Sequence, residues 1–251
     1  MSNRLGAGCL LWLVIFIHSY AQADSTTDLY LNLVTGNKYA PFADRNLPAG
    51  GMTSEIVREA FAVSGRTVNL TFLPWRRGLI GVERGLYLAT FPYFYSEELA
   101  DNFYYSESIY PTQQRIYISA NSQIYYQNLN NLAGYRLCSP IGHAIDSNLQ
   151  KLVDTAAISI ISPSSTELCA RMLVKNRVDF MVLDSTVYEY MFGDFNLKPV
   201  GKPLSNADLF LIMPKNNPQA EFLINEFNQG LASIKACGLF DQIVTRHLVK
   251  K

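Results

Sequence analysis

The strongest constraint on this chain is a strand–helix–strand–helix–strand pattern near its start, followed by a second run of the same kind. Residues 29–35 mix apolar and β-favouring side chains, and 36–51 form a loop broken by Pro41, Pro48, Gly50 and Gly51. A helix follows, with Thr53 or Ser54 as its cap, Ile56, Val57, Ala60 and Phe61 at helical spacing and Gly65 at a left-handed exit. Val68, Leu70 and Phe72 alternate with polar residues, a short helix over 76–84 ends at Gly85, and 86–91 reads as a third strand. Such βαβαβ order demands a parallel sheet with right-handed crossovers. In the second run, strands at 115–119 and 136–139 precede a helix over 145–153 and a strand at 158–161. A helix capped by Ser164, Ser165 or Thr166 then leads to a strand at 178–183 that ends at Asp184. After a strand at 209–213, Pro218 opens a long helix expected to bury Phe222, Phe227, Leu231 and Ile234, and a last helix covers 240–248.

Residues 1–23 carry Arg4, an apolar run over 10–17 and the small-x-small triplet Ala21-Gln22-Ala23, the pattern of a cleaved signal peptide. The run is shorter than the ~20 residues that span a bilayer, so the expectation is a periplasmic protein starting at Asp24. Cys138, Cys169 and Cys237 then reach an oxidising compartment, and an odd number leaves at least one without a partner in the chain. His143 and His247 are too few to hold zinc, so no metal is expected. Lys+Arg and Asp+Glu both number 21, which leaves no basic field for nucleic acid. Phosphate loops, HExxH and nucleophile elbows are absent, so no cofactor and no catalytic residue is assigned. With 15 Tyr and 14 Phe, aromatics exceed the needs of a core this size and point to a binding surface.

Several motifs recur in a telling order. Tyr39-Ala40-Pro41-Phe42 follows the first strand, Gly51-Met52 leads into the first helix, and Phe72-Leu73-Pro74-Trp75 precedes the second. Phe103-Tyr104-Tyr105-Ser106 and Ile109-Tyr110 come next, followed by Leu132-Ala133-Gly134-Tyr135-Arg136-Leu137. Asn176-Arg177-Val178-Asp179, Asp184-Ser185 and Cys237-Gly238-Leu239-Phe240 complete the series. In this order the chain resembles, over 28–250, the bacterial extracellular solute-binding protein family 3, type II periplasmic binding proteins that include amino-acid receptors of ABC transporters. The resemblance implies two α/β lobes joined by two crossing hinge strands that close on a small polar or aromatic solute in the cleft. Lobe 1 would be discontinuous, 24–110 and 209–251, and lobe 2 would be 111–208. Ligands of parallel sheets do sit beyond strand C-termini and at domain interfaces. The implied partners are an inner-membrane permease or a sensor, with the receptor a monomer. The alternative is an enzyme similar to cyclohexadienyl dehydratases, with Asp184, Glu97 or Glu98 as the acid.

On that resemblance the candidate ligand residues are Tyr39, Phe42, Trp75, Arg77, Pro92, Tyr93, Phe94, Gly142, His143 and Asp184. Each has a plainer reading: Tyr39, Phe42 and Trp75 can be core, and His143 a surface loop histidine. Arg76 and Arg77 lie about 100° apart on a helix, so at most one faces inward, and relatives with Pro-Trp-x-Arg favour Arg77. Pro92 has no N–H to offer a ligand, whereas the loop at Gly142 and His143 precedes a helix whose free N–H groups suit an anion. Asp184 stands where the family holds a ligand amine, and can equally cap the next helix. One departure is clear: amino-acid binders carry Ser/Thr-x-x-Arg after the third strand, and this chain has Ser96-Glu97-Glu98-Leu99. Finally, Cys138 at a second-lobe strand end and Cys169 in the first turn of a helix both face that lobe's cleft side, so they are expected to form a disulfide and leave Cys237 free.

Overall fold

The structure, a computed structural model, describes residues 29–141 and 145–249, so the expected leader, Gly142 and His143 lie outside it. Its strands form two five-stranded sheets. Sheet one has the order β2 (Thr67–Phe72), β1 (Tyr30–Thr35), β3 (Ala89–Tyr93), β10 (Phe210–Pro214), β4 (Phe103–Tyr105). Its first three strands are parallel, joined through α1 (Met52–Ala62) and α2 (Trp75–Glu83), whereas β10 enters antiparallel between β3 and β4. Sheet two runs β7 (Ser159–Ile161), β6 (Arg136–Cys138), β8 (Phe180–Asp184), β5 (Gln113–Ser119), β9 (Leu197–Asn206). There β6 is parallel to both neighbours, through the crossovers α4 (Ser147–Asp154) and α5 (Thr166–Val174), and β5 is antiparallel to β8 and β9.

The chain passes between the sheets twice, side by side. Ala207 N donates to Thr112 O at 2.9 Å, Leu209 N to Tyr110 O at 3.0 Å and Ile109 N to Leu209 O at 2.8 Å, a short antiparallel ladder across the gap. Cys138 and Cys169 are bonded, with Cα atoms 5.6 Å apart, as expected, and Cys237 is a free, exposed thiol. The bond joins the end of β6 to the first turn of α5 inside a buried apolar cluster.

Local details depart from the sequence reading for physical reasons. The third strand begins at Ala89 rather than 86, because Leu86 N still turns back to Gly81 O and leaves the Leu86 side chain exposed. Phe91, Pro92 and Tyr93 therefore belong to the strand. Neither Thr53 nor Ser54 caps α1; both sit inside its first turn and donate their hydroxyls to Phe42 O and Gly50 O. In α7 (Ala220–Ala236) the buried stripe is Leu223, Ile224, Phe227, Gly230, Leu231 and Ile234, so Phe222 points out and is 61% exposed. Gly230 lets α7 press against α1, where a Cβ would stand 2.0 Å from Ala60 O. The last helix, α8 (Leu239–Leu248), is pinned to α1 by His247 Nε2 at 2.6 Å from Glu55 Oε2.

Candidate functional site

The C-terminal ends of β1, β2, β3 and β4 and the start of β10 lie at one end of sheet one. The ends of β6, β7 and β8 and the start of β5 lie at one end of sheet two. The two crossing segments leave from these ends. Loops there carry a line of aromatic rings: Tyr110 and Phe42 (centroids 5.6 Å), Phe42 and Tyr39 (5.0 Å), Tyr39 and Trp75 (6.1 Å), Trp75 and Tyr93 (5.7 Å). The last two contacts are edge-on, the favoured arrangement of aromatic quadrupoles. Trp75 lies flat against Gly36, where any side chain would collide with it: an added Cβ would sit 2.0 Å from the indole Cε2. Tyr93 is fixed by a 3.3 Å bond from its hydroxyl to Trp75 O, and burial pushes that hydroxyl's pKa up to about 12.

Opposite this line stands Asp184, the last residue of β8. Its Oδ1 accepts from Thr186 N at 2.8 Å and Val187 N at 3.1 Å, capping α6 (Ser185–Val187), and a π-helical turn, Tyr188–Phe192, follows. Its Oδ2 is buried and has no hydrogen-bond partner among the described residues; the same is true of Tyr39 Oη and Thr112 Oγ1. Burial raises the Asp184 carboxyl above the usual aspartate range, against the pull of the nearby Thr112 hydroxyl and of the two amide donors. Burial, and next the negative field of Asp184, hold the Tyr39 phenol protonated far beyond its ordinary range. The Tyr39 phenol and the Asp184 carboxylate thus lie within each other's field in buried surroundings, with the Thr112 and Thr186 hydroxyls beside the carboxylate.

No family model matches the chain, and no curated protein matches it. Solved structures do. The GluR0 ligand-binding core from Nostoc punctiforme, in complex with L-glutamate, is 21% identical, covers 86% of this chain and 98% of its own, and superposes with a TM-score of 0.70. A mutant of ArgBP from T. maritima is 16% identical over 90% of this chain and 98% of that one, with a TM-score of 0.72. A histidine kinase sensor domain with similarity to periplasmic binding proteins is 18% identical over 88% and 97%, with a TM-score of 0.73. The chain has the periplasmic-binding-protein fold.

In a periplasmic-binding-protein fold the strand ends just described face the interlobe cleft, and the expected residues fall into three groups. Tyr39, Trp75 and Tyr93 form one run of ring contacts, and Asp184, which caps α6, lies within electrostatic reach of Tyr39. Phe42 and Pro92 are fully enclosed, Phe42 beneath Tyr39 and Pro92 within β3, while Phe94 just beyond that strand is 37% exposed. Arg76 and Arg77 are both exposed and make no hydrogen bond or ion pair among the described residues. Leu99, on α3 (Glu97–Ala100), packs with Val34, Val82, Phe103 and Ile212, so the residue the resemblance sets at the guanidinium position is apolar filling. Sequence reasoning missed Thr112 and Tyr110. The signal was present, since a hydroxyl and a ring on a crossing segment must sit at the floor of any cleft that segment closes.

Proposed function

We propose that this protein is an exported solute receptor of solute-binding protein family 3, which closes on a small cationic solute in the interlobe cleft for an ABC-type importer or a sensor. On this reading residues 1–23 are the cleaved leader, 24–110 with 209–251 form one lobe and 111–208 the other. The observation that carries it is the pair of buried, unpartnered atoms Tyr39 Oη and Asp184 Oδ2 at the cleft. A buried polar group left unpaired costs roughly 1–3 kcal/mol, so a ligand offering donors to Asp184 gains that energy on closure. An ammonium group satisfies the carboxylate better than a neutral donor.

Leu99 narrows the class. Losing one partner of a buried charged pair typically costs roughly 2–5 kcal/mol, or ~30- to 4,000-fold in affinity. Ordinary L-α-amino acids are therefore expected to bind weakly, in contrast to the glutamate-bound neighbour. Native mass spectrometry of freshly isolated protein, followed by calorimetry with the common L-amino acids, tests both steps. A retained small cation supports the reading. Micromolar binding of an L-amino acid, abolished by Asp184→Ala and indifferent to Arg77→Ala, overturns the inference from Leu99.

A dehydratase-like activity is favoured by the burial of Asp184, which raises its carboxyl above the usual aspartate range, since a general acid must be protonated to act. The other acids offered for that role, Glu97 and Glu98, are exposed on the first turn of α3 and make no contact with Asp184. Binding is the better account.

A further inference from the structure

A cavity of about 390 Å³ lies wholly within the stretch that builds sheet two. Its size falls in the range of small-molecule sites, roughly 300–1,000 Å³. Tyr126, Asn128, Asn130, Asp146 and Asn148 form its polar lining, and Leu129 and Leu204 its apolar part. None of them belongs to the run of rings or touches Asp184. The polar lining is braced from behind. Asn128 Oδ1 accepts from Asn130 N at 3.1 Å and caps the 3-10 turn Leu129–Leu132, while Asn131 Oδ1 accepts from Gln127 N at 3.0 Å and Asn128 N at 3.1 Å. Asp146 Oδ1 takes Asn148 N at 2.9 Å and Leu149 N at 3.2 Å at the head of α4. Asn148 Oδ1 takes Lys151 Nζ at 3.4 Å. Tyr126 is buried, and Gly201 of β9 lies so close that a Cβ there would stand 2.5 Å from Tyr126 O.

These bonds decide what is left for a guest. With their oxygens turned to other partners, Asn128 and Asn148 keep their Nδ2 groups as free donors, Asp146 keeps Oδ2 as a free acceptor, and the Asn130 amide and the Tyr126 hydroxyl have no partner among the described residues. Burial, and next the negative field of Asp146, raise the Tyr126 phenol above its ordinary range, so hydroxyl and carboxylate lie within each other's field. A metal ion would find most of the oxygens it needs already spent and amide hydrogens in their place. An anion would meet the Asp146 carboxylate, whose charge is offset by the helix amides it caps. A neutral guest carrying several hydroxyls fits both halves of the lining: each hydroxyl can give its hydrogen to Asp146 Oδ2 or Tyr126 Oη and accept one from an amide N–H2. The C–H groups of its ring have Leu129 and Leu204 to lie against. We propose that this cavity binds a neutral cyclic polyol, a pyranose-type monosaccharide, as a second site beside the cleft. Each hydrogen bond competes with water and contributes modestly, so the affinity is roughly millimolar and the site fills only where such a sugar is abundant.

The test is a nuclear magnetic resonance titration of the whole isotope-labelled protein with glucose, galactose and mannose, beside the open-chain polyol sorbitol. The side-chain amide signals of Asn128, Asn130 and Asn148 are expected to shift saturably with at least one of the pyranoses, and far less with sorbitol. Asp146→Asn keeps an acceptor for the head of α4 and removes the charge, and it should weaken that sugar about tenfold. Tyr126→Phe removes only a hydroxyl and should weaken it about fivefold. Asp184→Asn, a change in the cleft, should leave the titration as it was. The site is overturned if none of the three sugars shifts these signals at tens-of-millimolar concentration, or if both variants titrate like the parent. Equal shifts with sorbitol overturn the requirement for a ring. Loss of the sugar-induced shifts in Asp184→Asn assigns the binding to the cleft and overturns the second site. The receptor reading stands or falls on solute retention and Asp184, and no outcome at Asp146 or Tyr126 bears on it.

Discussion

Asp184 divides its labour between two oxygens, and substitutions separate them. Asparagine keeps an acceptor for Thr186 N and Val187 N but removes the charge; alanine removes both, at a further cost near 1 kcal/mol for the lost cap. Because burial raises the carboxyl's pKa, the folded state holds the proton more tightly than the unfolded chain. Stability is then lost as pH rises through the interval between the ordinary and the raised value, and it stays lost at neutral pH. Asp184→Asn is thus expected to stabilise the ligand-free protein at neutral pH while abolishing cation binding; thermal melts and calorimetry on the same sample check both. A cationic ligand prefers the ionised form, so its affinity should fall as pH drops through that interval, and the Asn variant should show no such fall. Gly36→Ala is a second single-residue test: its methyl would displace the Trp75 indole. A loss of roughly 1–3 kcal/mol and a shift in tryptophan emission are expected. The sequence made Tyr39, Trp75, Tyr93 and Asp184 visible because each ends or closely follows a strand, and strand ends of parallel sheets face ligands. It could not tell Phe42 from them, since burial beneath a neighbouring ring is a matter of packing rather than of pattern.

At the scale of elements, the disulfide ties the end of β6 to α5 across 31 residues. In the chain-entropy account such a loop contributes about 3–4 kcal/mol. Urea unfolding of the Cys138→Ala, Cys169→Ala variant should show a loss of up to that size, whereas Cys237→Ala should be silent. Alkylation of the unreduced protein should label Cys237 and leave Cys138 and Cys169 unlabelled. Helices and parallel strands were readable because their signals are local: a 3.6-residue stripe, a Gly exit, an alternating run. Even so, a phase error of one residue put Phe222 on the wrong face of α7, since each step turns a helix by about 100°. The strand β9 was invisible for a better reason. It contains Pro199, Gly201 and Pro203, which argue against a central strand, and an edge position next to β5 alone tolerates them.

For the molecule as a whole, the two crossing segments bonded at Tyr110 and Leu209 make a narrow connection about which lobes can turn. A ligand that touches both lobes stabilises the closed form alone. The melting temperature should therefore rise and the scattering radius fall together on addition of a retained solute; a radius that stays constant argues against clamping. The repetition of βαβ units made a two-sheet α/β architecture legible, and the re-entry of the chain's last segment into the first sheet was expected from the resemblance rather than from the pattern itself. That re-entry bears on how the chain is made. Sheet two is built from one continuous stretch, 113–206, and its contacts can form as soon as the stretch exists. Sheet one cannot do this: β3 lacks its neighbour β10, and Phe61 on α1 lacks Phe227 on α7, until the final 42 residues arrive. During synthesis the N-terminal strands consequently remain without a finished core, apolar and unprotected, while the middle of the chain already has one. A nascent chain of this order keeps its first sheet open at the front until β10 and α7 have been made.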